Sequence, residues 1–551
     1  MARRALASLL FGGFGLVLAL APVGAVAGSA RTRVSSPTVV WSPATFVVSG
    51  HGWGHGVGLS QYGAYGFALH GYTYDQIIAH YFPGTDLESA ASRTIKVLLA
   101  DGRPTLTISS KAPFSVTDSG GSQYDVADLS LRLDPSLTVN LADGQGSVAL
   151  SGPLLFKAGS ASTPLTFAGR SYRGTFRVSV TGSKLRLVNN VGLESYLYGV
   201  VPCESPHDWP ADALEAQSVV ARTYALASIK PGSSFDVYAD TRSQVYHGRS
   251  SEYPESTAAV EATAGETVYY DGKIATTFFF STSGGRTAAI QDAWPGAQPV
   301  PYLVSVNDPY DSVSPYHNWG PITLSAQALA KSLGIKGPIS DLTTKINGSR
   351  RVSTATLTGA GGASYEISGD SLRRALGLRS TWFTAKVLAL QHPSTALGYG
   401  ASIRILGRAR NTSSPTLEMR TSGSGWQTAR TLSPDDSGSF SVLLRPRSTS
   451  FYRISDGTAV GALTRIPVAA AVRMTRTARH GLRGSVQPAG AGARVELQRL
   501  GSGAWKTISQ LSLGSSGGFV RPGVLPTGQY RARVTGLPGL VAGFSPVVVV
   551  G

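Results

Sequence analysis

The chain has 551 residues, more than one hydrophobic core usually organises, so its length predicts two to four domains and excludes a single small module. Hydrophobic residues make up 42% and charged residues 15%, which excludes a solvated disordered polymer and a bundle of membrane helices. The 65 glycines and 31 prolines favour many short strands and turns. The net charge of +17 suits a polyanionic neighbour.

The N-terminus has the layout of a secretory signal over residues 1–27. Two arginines precede an uncharged apolar run over 5–21, and small residues follow at 25–27. An uncleaved membrane anchor is the alternative, since the uncharged stretch is long enough to span a bilayer. In both cases the body is exported, which favours the cell envelope over nucleic acid as the partner of the basic surplus. The single cysteine, Cys203, excludes an internal disulfide framework.

Residues 46–85 form a glycine- and histidine-rich block. Glycines alternate at 50, 52, 54, 56 and 58, which disfavours a helix there, and a helix is predicted from Tyr74 to Tyr81 before a Pro-Gly-Thr turn. The next region, 94–190, contains short apolar runs separated by Gly, Ser, Asp and Pro, a pattern typical of strands.

Three helices are predicted among the following strands. Apolar residues recur with helical spacing from Leu193, and Pro202 is expected to end this first helix. A second helix, with Asp208 as its candidate cap, is predicted over 210–229, and a third over 254–264. Helices inserted among strands predict a β-rich α+β domain over 46–385, made of the 46–85 block and a 94–385 core.

An internal repeat follows this domain. Three aromatic landmarks recur 78 or 79 residues apart, as the pairs Trp426 and Trp505, Phe440 and Phe519, and Tyr452 and Tyr530. We predict a linker over 386–400 and two small β-sandwich-like repeats over 401–470 and 471–551. Neither repeat concentrates carboxylates or histidines, so spacing or wall adhesion is their expected role. A chain ending near residue 390 is therefore expected to keep any activity.

Glu204 is the strongest catalytic candidate. It lies between Pro202 and Pro206, between two predicted helices and close to the apolar Trp209. A carboxyl group held against apolar groups has its pKa raised by desolvation, which a general acid needs at neutral pH. The competing interpretation is an acidic residue that complements the dipole of the next helix.

Glycoside cleavage usually requires two carboxylates. Possible second carboxylates have no distinguishing sequence pattern; they are Asp208, Asp212, Glu215, Asp240 and Asp292. A transglycosylase does not need one, because the C6 hydroxyl of the sugar attacks and forms a 1,6-anhydro end while one residue acts first as acid and then as base. Single-carboxylate chemistry therefore stays open.

The glycine-rich strip 50–62 is a candidate sugar-binding surface. Its glycines allow close backbone approach, and its other residues offer stacking faces and hydrogen-bonding groups, namely His51, Trp53, His55, Gln61 and Tyr62. The two histidines lack a defined third metal ligand, and a structural turn is the remaining alternative. A third segment, FFFSTSGGRT, offers Ser281, Ser283 and Arg286 for ligand contact or turn formation, with no base to activate a nucleophile.

These segments together resemble the SpoIID/LytB domain family. The matching stretches are YRG at 172–174, LESYLYGVVPCESPHDWPADALEAQSVVARTYAL at 193–226, SQVYHG at 243–248, FFSTSGGRT, PYLVSV, GDSLRRALGLRST at 369–381 and the GHGWGHGVGLSQYGA block. The resemblance implies binding of peptidoglycan glycan strands, with lytic transglycosylase activity in sporulation members and stimulation of a partner amidase in others. It places the family's essential glutamate at Glu204.

The resemblance also supplies further expected sugar contacts within the matching motifs, at Gln217, Arg222, Gln244 and Tyr246. Two features depart from the family. The GHGxGxSQYGA motif usually comes at the C-terminal end of the domain, and here it comes first, so a permuted connection to the same groove is expected. Ser205 replaces the usual Met, and one cysteine cannot form the zinc site of some relatives, so no metal and no cofactor is predicted.

Two functional hypotheses follow. The favoured one is an exported lytic transglycosylase that uses Glu204 as acid and base. The alternative is a wall-binding protein without catalysis that delivers or stimulates a cell-wall amidase. The expected partners are peptidoglycan glycan strands, acidic wall polymers and an amidase.

Overall fold

The computed structural model describes residues 38–142, 146–478, 480–490 and 492–551. The predicted export signal lies outside these ranges. Helices account for 16% of the chain and strands for 43%, so the prediction of a β-rich α+β protein is confirmed. No helix within the described ranges is both long and apolar enough to cross a bilayer.

The α-helices are short except for one, and two 3-10 turns, Gly248–Ser251 and Asp311–Val313, accompany them. The helices are α1 (Gln61–Leu69), α2 (Tyr74–Tyr81), α3 (Leu193–Tyr198), α4 (Val201–Glu204), α5 (Ala211–Ala227), α6 (Pro254–Ala262), α7 (Ile290–Ala293), α8 (Ala326–Ser332) and α9 (Gly369–Leu376).

The strands fall into three stretches of the chain. Those before α3 are β1 (Val39–Trp41), β2 (Thr45–His51), β3 (Leu59–Ser60), β4 (Asp86–Ser89), β5 (Thr94–Arg103), β6 (Leu106–Ser109), β7 (Phe114–Thr117), β8 (Gln123–Asp125), β9 (Ser130–Leu133), β10 (Thr138–Leu141), β11 (Gly146–Ala149), β12 (Leu154–Ala158), β13 (Leu165–Phe167), β14 (Arg170–Tyr172), β15 (Thr175–Thr181) and β16 (Lys184–Gly192). Those from α5 to the end of the predicted family region are β17 (Val237–Tyr238), β18 (Glu266–Tyr270), β19 (Lys273–Ile274), β20 (Phe279–Phe280), β21 (Asn318–Ser325), β22 (Ile339–Ile346), β23 (Val352–Gly359), β24 (Ser364–Ser368) and β25 (Phe383–Pro393). The remainder are β26 (Leu397–Gly398), β27 (Ile403–Arg410), β28 (Thr416–Thr421), β29 (Gln427–Thr431), β30 (Ser439–Leu444), β31 (Ser450–Asp456), β32 (Ala459–Val460), β33 (Thr464–Ile466), β34 (Val468–Ala469), β35 (Ala471–Arg476), β36 (Leu482–Gln487), β37 (Arg494–Gly501), β38 (Ala504–Leu511), β39 (Gly518–Arg521), β40 (Gly528–Thr535), β41 (Gly543–Phe544) and β42 (Val548–Val550).

A seven-stranded sheet lies in the first domain, with its strands in the order β17-β5-β16-β15-β12-β7-β8. Its strands follow the period-2 rule: in β15, Phe176 and Val178 are buried while Arg177 between them is only half-buried. The buried face packs against a four-stranded sheet, β14-β13-β6-β9, and against the helices around α3 and α5.

Helix α5 is the element between two hydrophobic cores. Leu214, Ala221 and Ala225 belong to the core of the large sheet, whereas Val219 and Val220 belong to a second core formed by α1, α2 and the strands near them. Because α5 faces a core on two sides, most of its residues are buried, and small and aliphatic residues predominate among them.

The predicted helices agree with the structure in most places. Helix α2 has the predicted bounds, and α5 and α6 end within two residues of the predicted ends. The prediction that Pro202 ends the first helix is wrong: α3 ends at Tyr198, and Pro202 lies in the first turn of α4, where a missing N–H costs no hydrogen bond. Asp208 does not cap α5, because Pro210 occupies the cap position.

Helix α1 was not expected from the sequence, since it directly follows the glycine strip. Ser60 caps it, accepting a hydrogen bond from the Gly63 N–H at 3.2 Å. Four of the five glycines before it have positive φ values, as at Gly58, where a Cβ would also collide with the Phe278 carbonyl. Close backbone packing, rather than a helix, is what these glycines permit.

The predicted linker over 386–400 is wrong for most of its length. Strand β25 crosses it and pairs with β2 on one side and with β27 on the other, so one sheet continues from the first domain into the first predicted repeat. Both faces of this strand are buried over 387–390, so it supplies Val387 to one core and Leu388 and Leu390 to another.

Each C-terminal segment consists of two facing sheets over a core. In the first, β25-β27-β30 faces β29-β28-β31 with β32 and β33; in the second, β35-β36-β39 faces β38-β37-β40 with β41 and β42. The strand order is the same in both, and Phe440 and Phe519 of the aromatic repeat are both buried in these cores.

Candidate active site

The loop that carries Glu204 is held in place by its neighbours in sequence. Val200 and Val201 are fully buried in the core of the large sheet, and the N–H of Glu204 donates to the Val200 carbonyl at 3.1 Å. Ser205 has extended backbone angles and ends α4 directly after the glutamate. The carboxyl group therefore projects from the end of a short, anchored helical turn.

Glu204 is largely enclosed and hydrogen-bonded. The Val245 N–H donates to its Oε1 at 2.7 Å, and the Gln61 side chain lines the same cavity wall. Burial raises the pKa of Glu204, and these two polar groups oppose that effect without reversing it. A carboxyl group with a raised pKa is suited to exchange a proton near neutral pH.

A cavity of about 610 Å³ opens in front of this carboxyl group. Seven of its fifteen lining residues are aromatic when His55 is counted, and nearly all the others are polar or charged; the lining residues are Trp53, Gly54, His55, Gln61, Glu204, Tyr224, Thr241, Arg242, Ser243, Phe278, Phe279, Phe280, Ser281, Trp294 and Arg373. Among these described residues Glu204 is the only carboxylate. Aromatic faces beside polar groups are the surfaces on which sugar rings stack and hydrogen-bond.

His55 belongs to the aromatic wall. Its ring centroid lies 5.1 Å from that of Trp294 and 5.4 Å from that of Phe280. Burial lowers its pKa to about 4, and the nearby Arg351 charge adds to this shift, so the ring is neutral at physiological pH. Its Nδ1 accepts the Val57 N–H at 3.1 Å. His55 thus contributes a neutral face rather than a second proton-transfer group.

Asp311 fixes the start of α1, which carries Gln61. Its Oδ1 accepts hydrogen bonds from the Ser60 hydroxyl at 3.1 Å and from the Ser283 N–H at 2.9 Å. Its Oδ2 accepts from the Gly284 N–H at 2.8 Å. One buried carboxylate therefore joins the helix cap to the Ser-Gly-Gly turn, and it holds two walls of the cavity in register.

The predicted site residues divide into those that line the cavity and those that do not. Trp53, His55, Gln61 and Ser281 line it together with Glu204. Gln217 lies directly behind, where its Oε1 accepts a hydrogen bond of 3.4 Å from the Gln61 amide.

Three predicted sugar contacts are instead interior residues. Arg222 is fully buried in a salt bridge of 2.8 Å with Glu194, and its other N–H groups are used by main-chain and hydroxyl oxygens. Gln244 bonds to the Tyr196 hydroxyl and to a main-chain carbonyl, and the Tyr246 hydroxyl donates to Asn189. Their assignment as glycan contacts is wrong, because their polar groups are already satisfied inside the core.

The other four predicted contacts lie away from the cavity. Tyr62 meets the Trp209 ring edge-on at 5.0 Å, and His51 packs against the Trp382 ring at 4.9 Å. Ser283 is buried in the turn held by Asp311. Arg286 hydrogen-bonds Ser305 and Asn307.

The sequence interpretation missed several lining residues. Tyr224, Arg242 and Arg373 lie inside or beside motifs that were already singled out, and Trp294 lies in the DAWPG segment. The sequence shows only that each of them is an aromatic or basic residue near a motif. Many residues that do not line the cavity have the same property. Only the fold brings Arg373 of α9 next to Tyr224 of α5.

Comparisons with known proteins place this site in a family. The SpoIID family model, described as Stage II sporulation protein, matches residues 181–270, which include Glu204. Stage II sporulation protein D of Bacillus subtilis is 30% identical over 236 residues, 39% of this chain and 66% of that protein. The amidase enhancer of the same species is 35% identical over 184 residues, 33% of this chain and 24% of that protein. An uncharacterized protein of Brachyspira hyodysenteriae is 30% identical over 223 residues, 39% of this chain and 59% of that protein.

These matches support the SpoIID/LytB family for the part of the chain around Glu204. The chain spans just under two thirds of the length of the sporulation relatives and about three fifths of the Brachyspira protein. Among solved structures, a cytokine receptor complex matches 28% of the chain at 18% identity with a TM-score of 0.18, which is too low to support an argument.

Proposed function

We propose that this is an exported cell-wall protein that binds peptidoglycan glycan strands and cleaves them as a lytic transglycosylase. The observation that carries the proposal is the single enclosed carboxyl group, Glu204, whose pKa burial raises, at the wall of an aromatic cavity of about 610 Å³. An aromatic groove binds the sugar rings, and the protonated carboxyl group supplies the acid.

The reaction needs only this one carboxyl group. Protonated Glu204 gives its proton to the glycosidic oxygen as the bond from that oxygen to the anomeric carbon breaks. The C6 hydroxyl of the same sugar forms a new bond to the anomeric carbon and gives its proton to the Glu204 carboxylate. The products are a free hydroxyl end and a 1,6-anhydro end, and Glu204 returns to its protonated state without water being consumed.

Neighbouring groups support both halves of this cycle. The Val245 N–H stabilises the carboxylate form that exists after the first proton transfer, and the Gln61 side chain assists it. Arg242 and Arg373 place guanidinium groups at the cavity wall, and each is also paired with an aspartate, at 2.7 Å for Arg242 and 3.6 Å for Arg373. Because His55 is neutral and its Nδ1 is occupied, the proton cycle is assigned to Glu204 alone.

A second candidate function rests on the similarity to the amidase enhancer, at 35% identity. In that case the cavity binds glycan without cutting it, and the protein stimulates a separate amidase. The two functions differ in whether the chain alone produces anhydro ends.

The test is digestion of purified sacculi in water enriched in oxygen-18. A transglycosylase releases 1,6-anhydro ends that contain no oxygen-18, whereas a hydrolase leaves labelled reducing ends. Mass spectrometry of the soluble products distinguishes them, with an established lytic transglycosylase as the positive control. Binding to sacculi with no glycan cleaved, and faster release of peptides by an added amidase, would favour the enhancer function instead.

A further inference from the structure

The basic surplus of the chain lies almost entirely in its C-terminal segment. Residues 394–551 contain nineteen Lys and Arg against five Asp and Glu, a net charge of +14 out of +17. The preceding 393 residues, which hold the candidate active site, are close to balanced. The positive charge therefore belongs to the two C-terminal sandwiches and not to the cavity around Glu204.

Each sandwich carries an arginine stacked on a tryptophan at the same position. The guanidinium carbon of Arg453 lies 4.0 Å from the centre of the Trp426 ring, and that of Arg531 lies 4.4 Å from the centre of the Trp505 ring. Both stacks lie on the outer face of a sheet, opposite the buried core residues, and each of the four side chains is half-buried.

The same contact orients both arginines. Arg453 lies opposite Glu418 on the neighbouring strand, and its Nε donates to Glu418 Oε2 at 2.6 Å. Arg531 lies opposite Gln498, and its Nε donates to Gln498 Oε1 at 2.9 Å. The acceptor and the ring fix each guanidinium plane, so its Nη atoms form a pre-oriented fork for an anion.

Positive charge is also retained at both positions. Glu418 would neutralise Arg453, but Arg420 supplies another guanidinium 5.0 Å from the Trp426 ring. In the second sandwich the acceptor of Arg531 is the neutral Gln498 side chain, so this contact leaves the Arg531 charge in place, whereas Arg533 on the same strand face is paired with Glu496 at 3.0 Å. Burial and, to a smaller extent, the Arg533 charge lower the pKa of Arg531, and a bound anion would oppose both effects.

From this duplicated geometry we propose that the two Arg–Trp stacks are paired binding sites for a polyanionic envelope polymer with a charged group on each repeating unit. Two equivalent sites on one chain suit a repetitive ligand, because a polymer that occupies one site is held near the other. The proposal is independent of the chemistry at Glu204 and holds for an enzyme or for an enhancer.

The test measures the affinity of the full chain for three soluble polymers: poly(glycerol phosphate), polygalacturonate and neutral dextran. We expect at least tenfold tighter binding to one or both polyanions than to dextran, with affinity falling as salt rises. The two polyanions distinguish phosphodiester from carboxylate chemistry. Equal affinity for all three polymers, or tighter binding to a DNA fragment than to either polyanion, would overturn the proposal.

Matched variants separate the stacks from general charge. The double variant Arg453→Gln, Arg531→Gln should lose at least tenfold in polyanion affinity. The control Arg430→Gln, Lys506→Gln removes the same charge from exposed positions on strands β29 and β38 of the same sheets. This control should lose less than threefold in polyanion affinity. Equal losses would show diffuse attraction and reject the stacks as sites.

A charge-preserving variant decides the matter if the glutamine variant folds poorly. Arg453→Lys, Arg531→Lys keeps the net charge but removes the planar fork. We expect it to lose most of the affinity that the glutamine variant loses, with an unchanged unfolding temperature. Affinity equal to that of the wild type in the folded lysine variant would contradict the proposed geometry.

Discussion

At the residue scale, the Gln61 side chain affects the pKa of Glu204. Its amide lowers this pKa and so opposes the upward shift that burial causes, and removing the amide should let the pKa rise further. In Gln61→Leu the acid should stay protonated to higher pH, and the alkaline limb of the rate profile for release of anhydro products should move upward.

Tyr62→Phe is the matched control for this change. Tyr62 is the next residue of α1, but its ring packs against Trp209 outside the cavity. The alkaline limb of the rate profile of Tyr62→Phe should stay at the wild-type position. A Gln61→Leu profile that merely falls in height, without a shift along the pH axis, would mean that Gln61 only supports the fold.

The raised pKa of Asp308 predicts that the stability of the protein also depends on pH. Burial and the neighbouring Asp311 charge raise its pKa to about 7, against about 4 in an unfolded chain. Its contribution to stability is therefore complete below about pH 4 and is lost as pH rises toward 7. Asp308→Asn should unfold at a higher temperature than the wild type at pH 8, and the difference should vanish near pH 4. A constant difference across this range would contradict the assignment.

The site shows what the sequence could and could not predict about single residues. Glu204 is predicted as the acid because the prolines and apolar residues around it are visible in the local sequence. Arg222 is predicted as a glycan contact because the sequence does not distinguish a motif arginine that is buried in the core from one that contacts a ligand. Its salt bridge to Glu194 depends on α3 packing beside α5, which no local pattern encodes.

Helix α1 depends on close packing at the element scale. A Cβ at Gly63 would collide with the Tyr81 hydroxyl and with the Asp308 carboxylate, so this face of the helix requires glycine. Gly63→Ala should reduce the free energy of unfolding by about 1–3 kcal/mol through overpacking. Thermal and denaturant unfolding measure the loss.

Gly425→Ala is the comparison for this prediction, because a Cβ at Gly425 would contact no neighbouring atom. Its stability should stay within about 0.5 kcal/mol of the wild type, as for most surface changes. If Gly63→Ala were equally neutral, the close approach of α1 to α2 would not be as the structure has it.

The sequence predicts a helix or strand correctly where apolar residues recur with a single period over the whole segment. Helix α2 has helical spacing, and its bounds were correct. Helix α1 contains two glycines and follows five more, so its local propensity argues against a helix; a serine cap and tertiary packing decide the outcome. Strand β25 was read as a linker because its pairing partners lie far away in sequence.

The position of the glycine strip is explained at the scale of the whole molecule. The His51 N–H donates to the Trp382 carbonyl at 2.9 Å, and the Gly54 N–H donates to the Arg379 carbonyl at 3.0 Å. The strip at the start of the domain thus lies beside the segment that ends it. A motif at either end of the domain would reach the same place when the two ends are adjacent, so the permuted order predicted from the sequence would be compatible with this cavity.

The shared sheet changes where the chain can be shortened. A chain ending at residue 390 would cut β25 and expose the core that contains Val47, Leu388 and Leu390, so it should aggregate or unfold. A chain ending at residue 469 removes only the second sandwich, which has a core of its own. It should stay soluble, unfold cooperatively and keep the wild-type rate of anhydro product release within about twofold. A stable, active chain ending at 390 would contradict this dependence on β25.

The central claim is that Glu204 supplies the proton while other groups hold the glycan. Its most direct test compares the affinity and the turnover of the wild type and Glu204→Gln on one soluble glycan oligomer, by calorimetric titration and by anhydro product release. The Gln variant keeps the shape of the side chain without the transferable proton, so turnover should fall roughly 100- to 10,000-fold while the dissociation constant changes by less than about threefold. Wild-type turnover in the variant would contradict the account, and so would a loss of binding as large as the loss of rate.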